Sequence, residues 1–213
     1  MKTDDLIHAL AAHPQVVDAR AIEQRFALAA LAGVGGAAVL MVSFYGLLPD
    51  FAHAMVLAMF WGKLLFAAAL AAGGLAVVRR LARPGWAVGR TAAALAVPPL
   101  VLWALALAAL ALAAPQDRLG LVLGSTWRTC PFNIAFLSIP ALAGSLWALR
   151  GAAPTRPALA GAAAGLLAGA LGALVYALHC PEMAAPFLAV WYVAGMALPT
   201  LLGAVLGPRL LRW

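Results

Sequence analysis

Residues 26–48 read FALAALAGVGGAAVLMVSFYGLL, from Phe26 to Leu48, without one charged side chain. A helix of these 23 residues is about 35 Å long, enough to cross the hydrocarbon of a bilayer. The run is too long for the core of a signal peptide, and the segment before it is acidic rather than basic. It reads as a membrane span, ended by Pro49-Asp50.

The same pattern continues along the chain. Apolar runs at about 55–78, 91–113, 131–149, 158–178 and 186–206 give five more expected spans. The breaks between them are Arg79-Arg80 with Pro84-Gly85, Pro115-Gln116-Asp117-Arg118, Arg150-Gly151 with Pro154 and Pro157, and Pro181-Glu182. Pro98-Pro99 predicts a kink or broken turn in the third span. The apolar piece Leu119–Leu123 suits a short interfacial helix. Composition agrees: 66% of the 213 residues are hydrophobic and 10% charged, against about 25% charged in soluble domains. The expected fold is therefore an all-α integral membrane protein, a six-helix transmembrane bundle over residues 26–213 preceded by a polar segment, 1–25. No room is left for a soluble catalytic domain.

The net charge of +7 marks topology rather than nucleic acid, and no direct nucleic-acid partner is expected. With six spans, both termini lie on one side. That side holds Lys2, Arg20, Arg25, Arg79, Arg80, Arg83, Arg90, Arg150, Arg156, Arg209 and Arg212, eleven of the fourteen basic residues. Arg118 and Arg128 fall opposite, and Lys63 lies inside a span. The positive-inside rule then predicts cytoplasmic termini.

The two cysteines stand out against this background, in Trp127-Arg128-Thr129-Cys130-Pro131 and His179-Cys180-Pro181-Glu182. They flank the hairpin of the fourth and fifth spans. Cys130 is 20 residues before Arg150 and Cys180 is 23 after Pro157, so both thiols reach similar height on the outer face. Three readings are open: a structural disulfide, a soft-metal site of Cys130, Cys180, His179 and Glu182, or a redox or electrophile-sensing pair. No C-x-x-C or H-x-x-x-H spacing selects the metal reading. A quinone-linked thiol oxidase would be expected to need two cysteine pairs or one closely spaced pair. A small metal transporter would want more polar residues at mid-membrane than Lys63.

Other polar residues have plainer readings. Lys63 lies roughly 12 Å below Met55 by helical rise, a depth from which lysine snorkels, with Trp61 marking an interfacial level. Asn133 and Ser138 suit interhelical hydrogen bonds. His53 suits a water-facing position, and Trp127, Trp191, Tyr192 and Trp213 an aromatic belt. Gly161-x-x-x-Gly165-x-x-x-Gly169 is a small-residue stripe for close helix packing. In the polar head, Thr3 or Asp4 caps a short segment whose Leu6, Ile7 and Leu10 share one face, fit for a partner protein or a membrane surface.

Taken together, Met1-Lys2-Thr3-Asp4-Asp5-Leu6-Ile7, Phe60-Trp61-Gly62-Lys63, Trp127-Arg128-Thr129-Cys130, Pro154-Thr155-Arg156-Pro157, Leu178-His179-Cys180-Pro181-Glu182 and Leu210-Leu211-Arg212-Trp213 carry a resemblance over essentially the whole chain. It resembles the NrsF-type anti-sigma factors of proteobacteria, six-span inner-membrane proteins. The resemblance implies that the chain is not an enzyme and binds no resident cofactor. It implies that the N-terminal segment, with Asp4, Asp5, Leu6, Ile7 and Leu10, holds an extracytoplasmic-function (ECF) sigma factor. It also implies that Cys130 and Cys180 are periplasmic and needed for the response to a stress such as heavy-metal exposure; the sensing expected of them is by oxidation or a transiently bound soft metal ion.

Overall fold

The computed structural model describes Thr3 and residues 19–83, 85, 89–152 and 154–211. All regular structure among these residues is helical. Helix α1 spans Ala19–Phe44, the short α2 Phe51–Ala54, and α3 Ala58–Leu81. Helices α4 (Gly89–Ala94) and α5 (Val97–Leu112) are two pieces of one apolar stretch. The break falls just before Pro98, whose ring nitrogen cannot donate to the preceding turn. Helix α6 is Arg118–Leu123, the short element expected there.

Helices α7 (Cys130–Leu137) and α8 (Ile139–Arg150) meet at Ser138 with a bend of 43°. Pro140 is the cause: it has no N–H for the carbonyl four residues back. The sequence reading had one unbroken span here. Helix α9 is Pro157–Tyr176, and α10 is Ala185–Leu210 with a π-helical turn over Leu188–Tyr192. That turn frees a carbonyl from the α-helical pattern, and Trp103 Nε1 donates to Ala189 O at 3.0 Å.

Among the described residues, five helices are long and apolar enough to cross a membrane, or six if α7 and α8 form one bent span. Their outward faces are apolar: Leu31, Val39, Leu65, Leu107 and Leu201 are exposed, and Leu112 is 90% exposed. Such a surface suits hydrocarbon, not water.

Helix α9 is the axis of the bundle, packed on α3, α8 and α10. Its glycine stripe makes this possible. A Cβ at Gly161 would run into Gly203 O, one at Gly165 into Pro199 O, and one at Gly169 into the Met196 backbone. The stripe therefore packs directly on α10, backbone to backbone. Helix α5 lies at the periphery, with Leu102 and Ala106 as its buried residues.

The helical hairpins sort the charges. The ends of α3 and α8 and the starts of α4 and α9 bring Arg79, Arg80, Arg83, Arg90, Arg150 and Arg156 to one end, with Arg25 and Arg209. Arg150 Nε donates to Leu210 O at 3.2 Å, tying α8 to the end of α10 there. Lys63, Arg118 and Arg128 belong to the opposite half, with both cysteines.

Candidate functional site: a buried dithiol at one end of the bundle

Two hydrogen-bonded turns set the cysteines. Cys130 N–H donates to Thr126 O at 2.9 Å and opens α7. Cys180 N–H donates to Tyr176 O at 3.0 Å, just past the end of α9. Both side chains are fully buried, free thiols in hydrogen-bonding contact with one another. The similar height inferred from hairpin length is thus a direct contact.

Polar groups surround the pair. Tyr176, four residues before Cys180 and so on the same face, directs its hydroxyl at Cys130. Tyr192, from the π-turn of α10, is fully buried; its hydroxyl lacks a well-formed hydrogen bond and reaches only the Cys180 sulfur, a weak acceptor. Asn133 Nδ2 donates to Tyr176 OH at 3.4 Å, and Tyr45 OH donates to Asn133 Oδ1 at 3.1 Å. Asn133 therefore joins α7 to α9 and to the turn that ends α1, the interhelical bonding expected of it. Ser138 does not cross between helices: its Oγ donates to Ala135 O in its own turn, at 2.6 Å.

Two residues read otherwise from the sequence take new positions. Lys63 does not snorkel to the surface. It is fully buried and donates from Nζ to Cys180 O at 2.6 Å. The inward side of α3 gives it a carbonyl to hold, which a surface position would not. Tyr192 is not in a belt; the register of the π-turn turns it inward to the thiols. Trp127 and Trp191 do stack at this end, 5.3 Å between centroids, with Trp191 Nε1 donating to Val122 O. His53 is exposed on α2.

Glu182 and His179 serve as latches. Glu182 Oε1 accepts from Ser125 N and Oγ at 2.7 Å each, and from Thr126 N and Oγ1 at 3.1 and 3.2 Å. It thereby fastens the Cys180 segment to the turn that precedes Cys130. Gly124 makes the turn possible, with φ +55° and a Cβ position that the Glu182 carboxylate already fills. His179 Nδ1 lies 3.1 Å from Gly46 O, so Nδ1 carries the hydrogen. Its ring packs between Tyr45 and Tyr176, 5.4 and 5.8 Å between centroids.

The four residues named from the sequence for a metal thus share one end of the bundle but not one point. Among the described residues, no group of three His, Cys, Asp or Glu side chains converges as a metal site. The two thiols alone remain side by side. Cys180 is the member of the pair that ionises first, its thiol pulled down to about 7. The hydrogen bond from Cys130 is the main cause, acting against burial, with Tyr192, the Glu182 backbone N–H and the Lys63 charge assisting. Asp4, Asp5, Leu6, Ile7 and Leu10 lie outside the described residues.

The fold and this site define a helical membrane protein with a buried dithiol at one end and arginines at the other. The family model described as negative regulator of sigma F, NrsF, matches residues 10–213. The chain belongs to the NrsF family. It is 48% identical over 213 residues to the probable anti-sigma-F factor NrsF of Azospira oryzae, covering the whole of both chains. It is 42% identical over 225 residues to the anti-sigma-F factor NrsF of Caulobacter vibrioides, again over the whole of both. These relatives are named as regulators, not enzymes. No solved structure matches the chain.

Proposed function

We propose that the chain is an inner-membrane anti-sigma factor of six spans, α7 and α8 forming one of them, with both termini in the cytoplasm. Its N-terminal segment, with Asp4, Asp5, Leu6, Ile7 and Leu10, binds an ECF sigma factor and keeps it from polymerase. Cys130 and Cys180 face the periplasm and are the input. Family membership over the full length supports the regulatory role. The observation that carries the sensing role is the contact of two buried thiols across the α8–α9 hairpin, at the end away from the arginines.

The chemistry follows from that contact. Two adjacent thiols suit a two-sulfur bridge to a soft metal ion or closure to a disulfide by an oxidant. Burial keeps the pair closed at rest, so a reagent meets it when the segment latched by Glu182 opens. Modified sulfurs no longer fit the pocket of Tyr176, Tyr192 and Lys63, and the bundle shifts to an arrangement with lower affinity for the sigma factor. Tenfold release needs about 1.4 kcal/mol of coupling between the two ends.

Two measurements test the two halves. Residues 1–25 used as bait should recover a sigma factor, and recovery of none removes that segment as the binding element. Serine at both cysteines should leave repression intact and abolish the response to cadmium or a thiol oxidant. A preserved response in that variant excludes the thiols as input.

A further inference from the structure

Lys63 is a fully buried cation in an apolar bundle. Charge so placed is costly and normally marks function. Anchoring a carbonyl does not require it: Trp103 and Trp191 hold Ala189 O and Val122 O with neutral N–H groups. What sets Lys63 apart is where it binds. The carbonyl it holds belongs to Cys180 itself, and the titratable groups that act on its ammonium are Cys180, Cys130 and Glu182. Phe60, one turn earlier on α3, packs its ring 5.4 Å from the ammonium and restricts where it can go.

Helix α3 runs unbroken from Ala58 to Leu81, so the basic end lies about 30 Å from Lys63 by helical rise. There Arg83 Nη2 donates to Glu23 Oε1 at 3.1 Å, joining the end of α3 to the first turns of α1. Beyond Glu23 toward the terminus lies the segment assigned above to the sigma factor. A stiff helix held at both ends passes a displacement of one end to the other.

Resting on the sensing reading, we propose that Lys63 is the positioning residue that couples the thiol pair to the basic end of the protein. Its ammonium holds the Cys180 peptide on α3. When a soft divalent ion bonds to both sulfurs, releasing the protons they held, Cys180 shifts and draws Lys63 with it. Helix α3 moves in turn against α1, where Arg83 meets Glu23.

The test uses the full-length chain in cells with its sigma factor and a sigma-dependent reporter, read before and after Cd²⁺. Purified protein in nanodiscs is labelled with a maleimide, with and without Cd²⁺, to report metal at the thiols. Lys63→Met should keep resting repression and Cd²⁺ protection of the thiols, while the reporter rise falls at least about fivefold. Lys63→Arg should restore at least about half of the rise, which a purely structural loss would not. Arg83→Gln changes a partly exposed side chain and should blunt the rise in the same way, whether or not Lys63→Met folds. A normal rise in Lys63→Met, no gain in Lys63→Arg over Lys63→Met, or a normal rise in Arg83→Gln overturns the proposal. A rise that needs the cysteines but neither Lys63 nor Arg83 overturns the coupling alone. One that survives serine at both cysteines overturns the sensing reading and the coupling together.

Discussion

Cys180 and Glu182 carry the chemistry that separate measurements can isolate. The thiolate is the nucleophile, so Cys180 alkylation should rise with pH and reach half its plateau near about 7. Rapid local opening of the segment scales the rate without moving this midpoint. Cys130→Ala removes the main hydrogen bond that favours the thiolate, so the midpoint should move to higher pH; peptide-resolved mass spectrometry follows it. An unmoved midpoint means the two sulfurs do not interact. Glu182→Ala removes four acceptor contacts from one half-buried oxygen and leaves the Ser125 and Thr126 N–H groups without their partner. The expected cost is about 2 kcal/mol, with thiol labelling faster by roughly tenfold. Glu182→Gln keeps an acceptor and should fall between; if it labels like the alanine variant, charge rather than the bond holds the segment. These roles were only half legible. The sequence named Cys130, Cys180, His179 and Glu182 as neighbours, and the structure uses the last two as latches rather than ligands.

Among the elements, the α9–α10 contact has the tightest tolerance. Gly165→Ala places a methyl on the Pro199 carbonyl and has no side chain to push aside. Overpacking of this kind costs about 1–3 kcal/mol, read as a lower thermal midpoint in detergent. Gly35→Ala on α1 is the internal control: nothing lies within 4 Å of the added Cβ, and alanine is the better helix former. Equal effects at the two positions would rule out the packing account. The Gly161–Gly165–Gly169 stripe was legible because small residues at every fourth position line one helix face. The break before Pro98 was legible because proline acts locally. The bend at Ser138 has the same cause in Pro140 and went unread, since a single proline near a span's middle also occurs in helices that continue past it, as Pro199 does in α10.

For the whole molecule, the division of charge between the two ends is the feature to test. If the termini are cytoplasmic, green fluorescent protein fused after Trp213 should fluoresce and alkaline phosphatase inserted after Asp117 should be active. The reverse pattern inverts the topology and puts the thiols inside. The same division underlies the proposed traffic of the signal. The thiols and the larger cluster of arginines lie at opposite ends, so a signal between them has to travel through the helices, and α3 and α9 run the full distance.

The sequence by itself determined the helices, their apolar outward faces, the common end of the two cysteines and the family. Hydropathy, proline and hairpin length act over a turn or a single loop, so each can be read without neighbours. The tertiary structure alone decided that Lys63 faces Cys180 O, 117 residues away, and that Tyr192 turns inward. It also decided that Glu182 fastens a turn 56 and 57 residues earlier. Which face of one helix meets which face of another depends on the glycines, kinks and the π-turn acting together, and no local pattern encodes their sum.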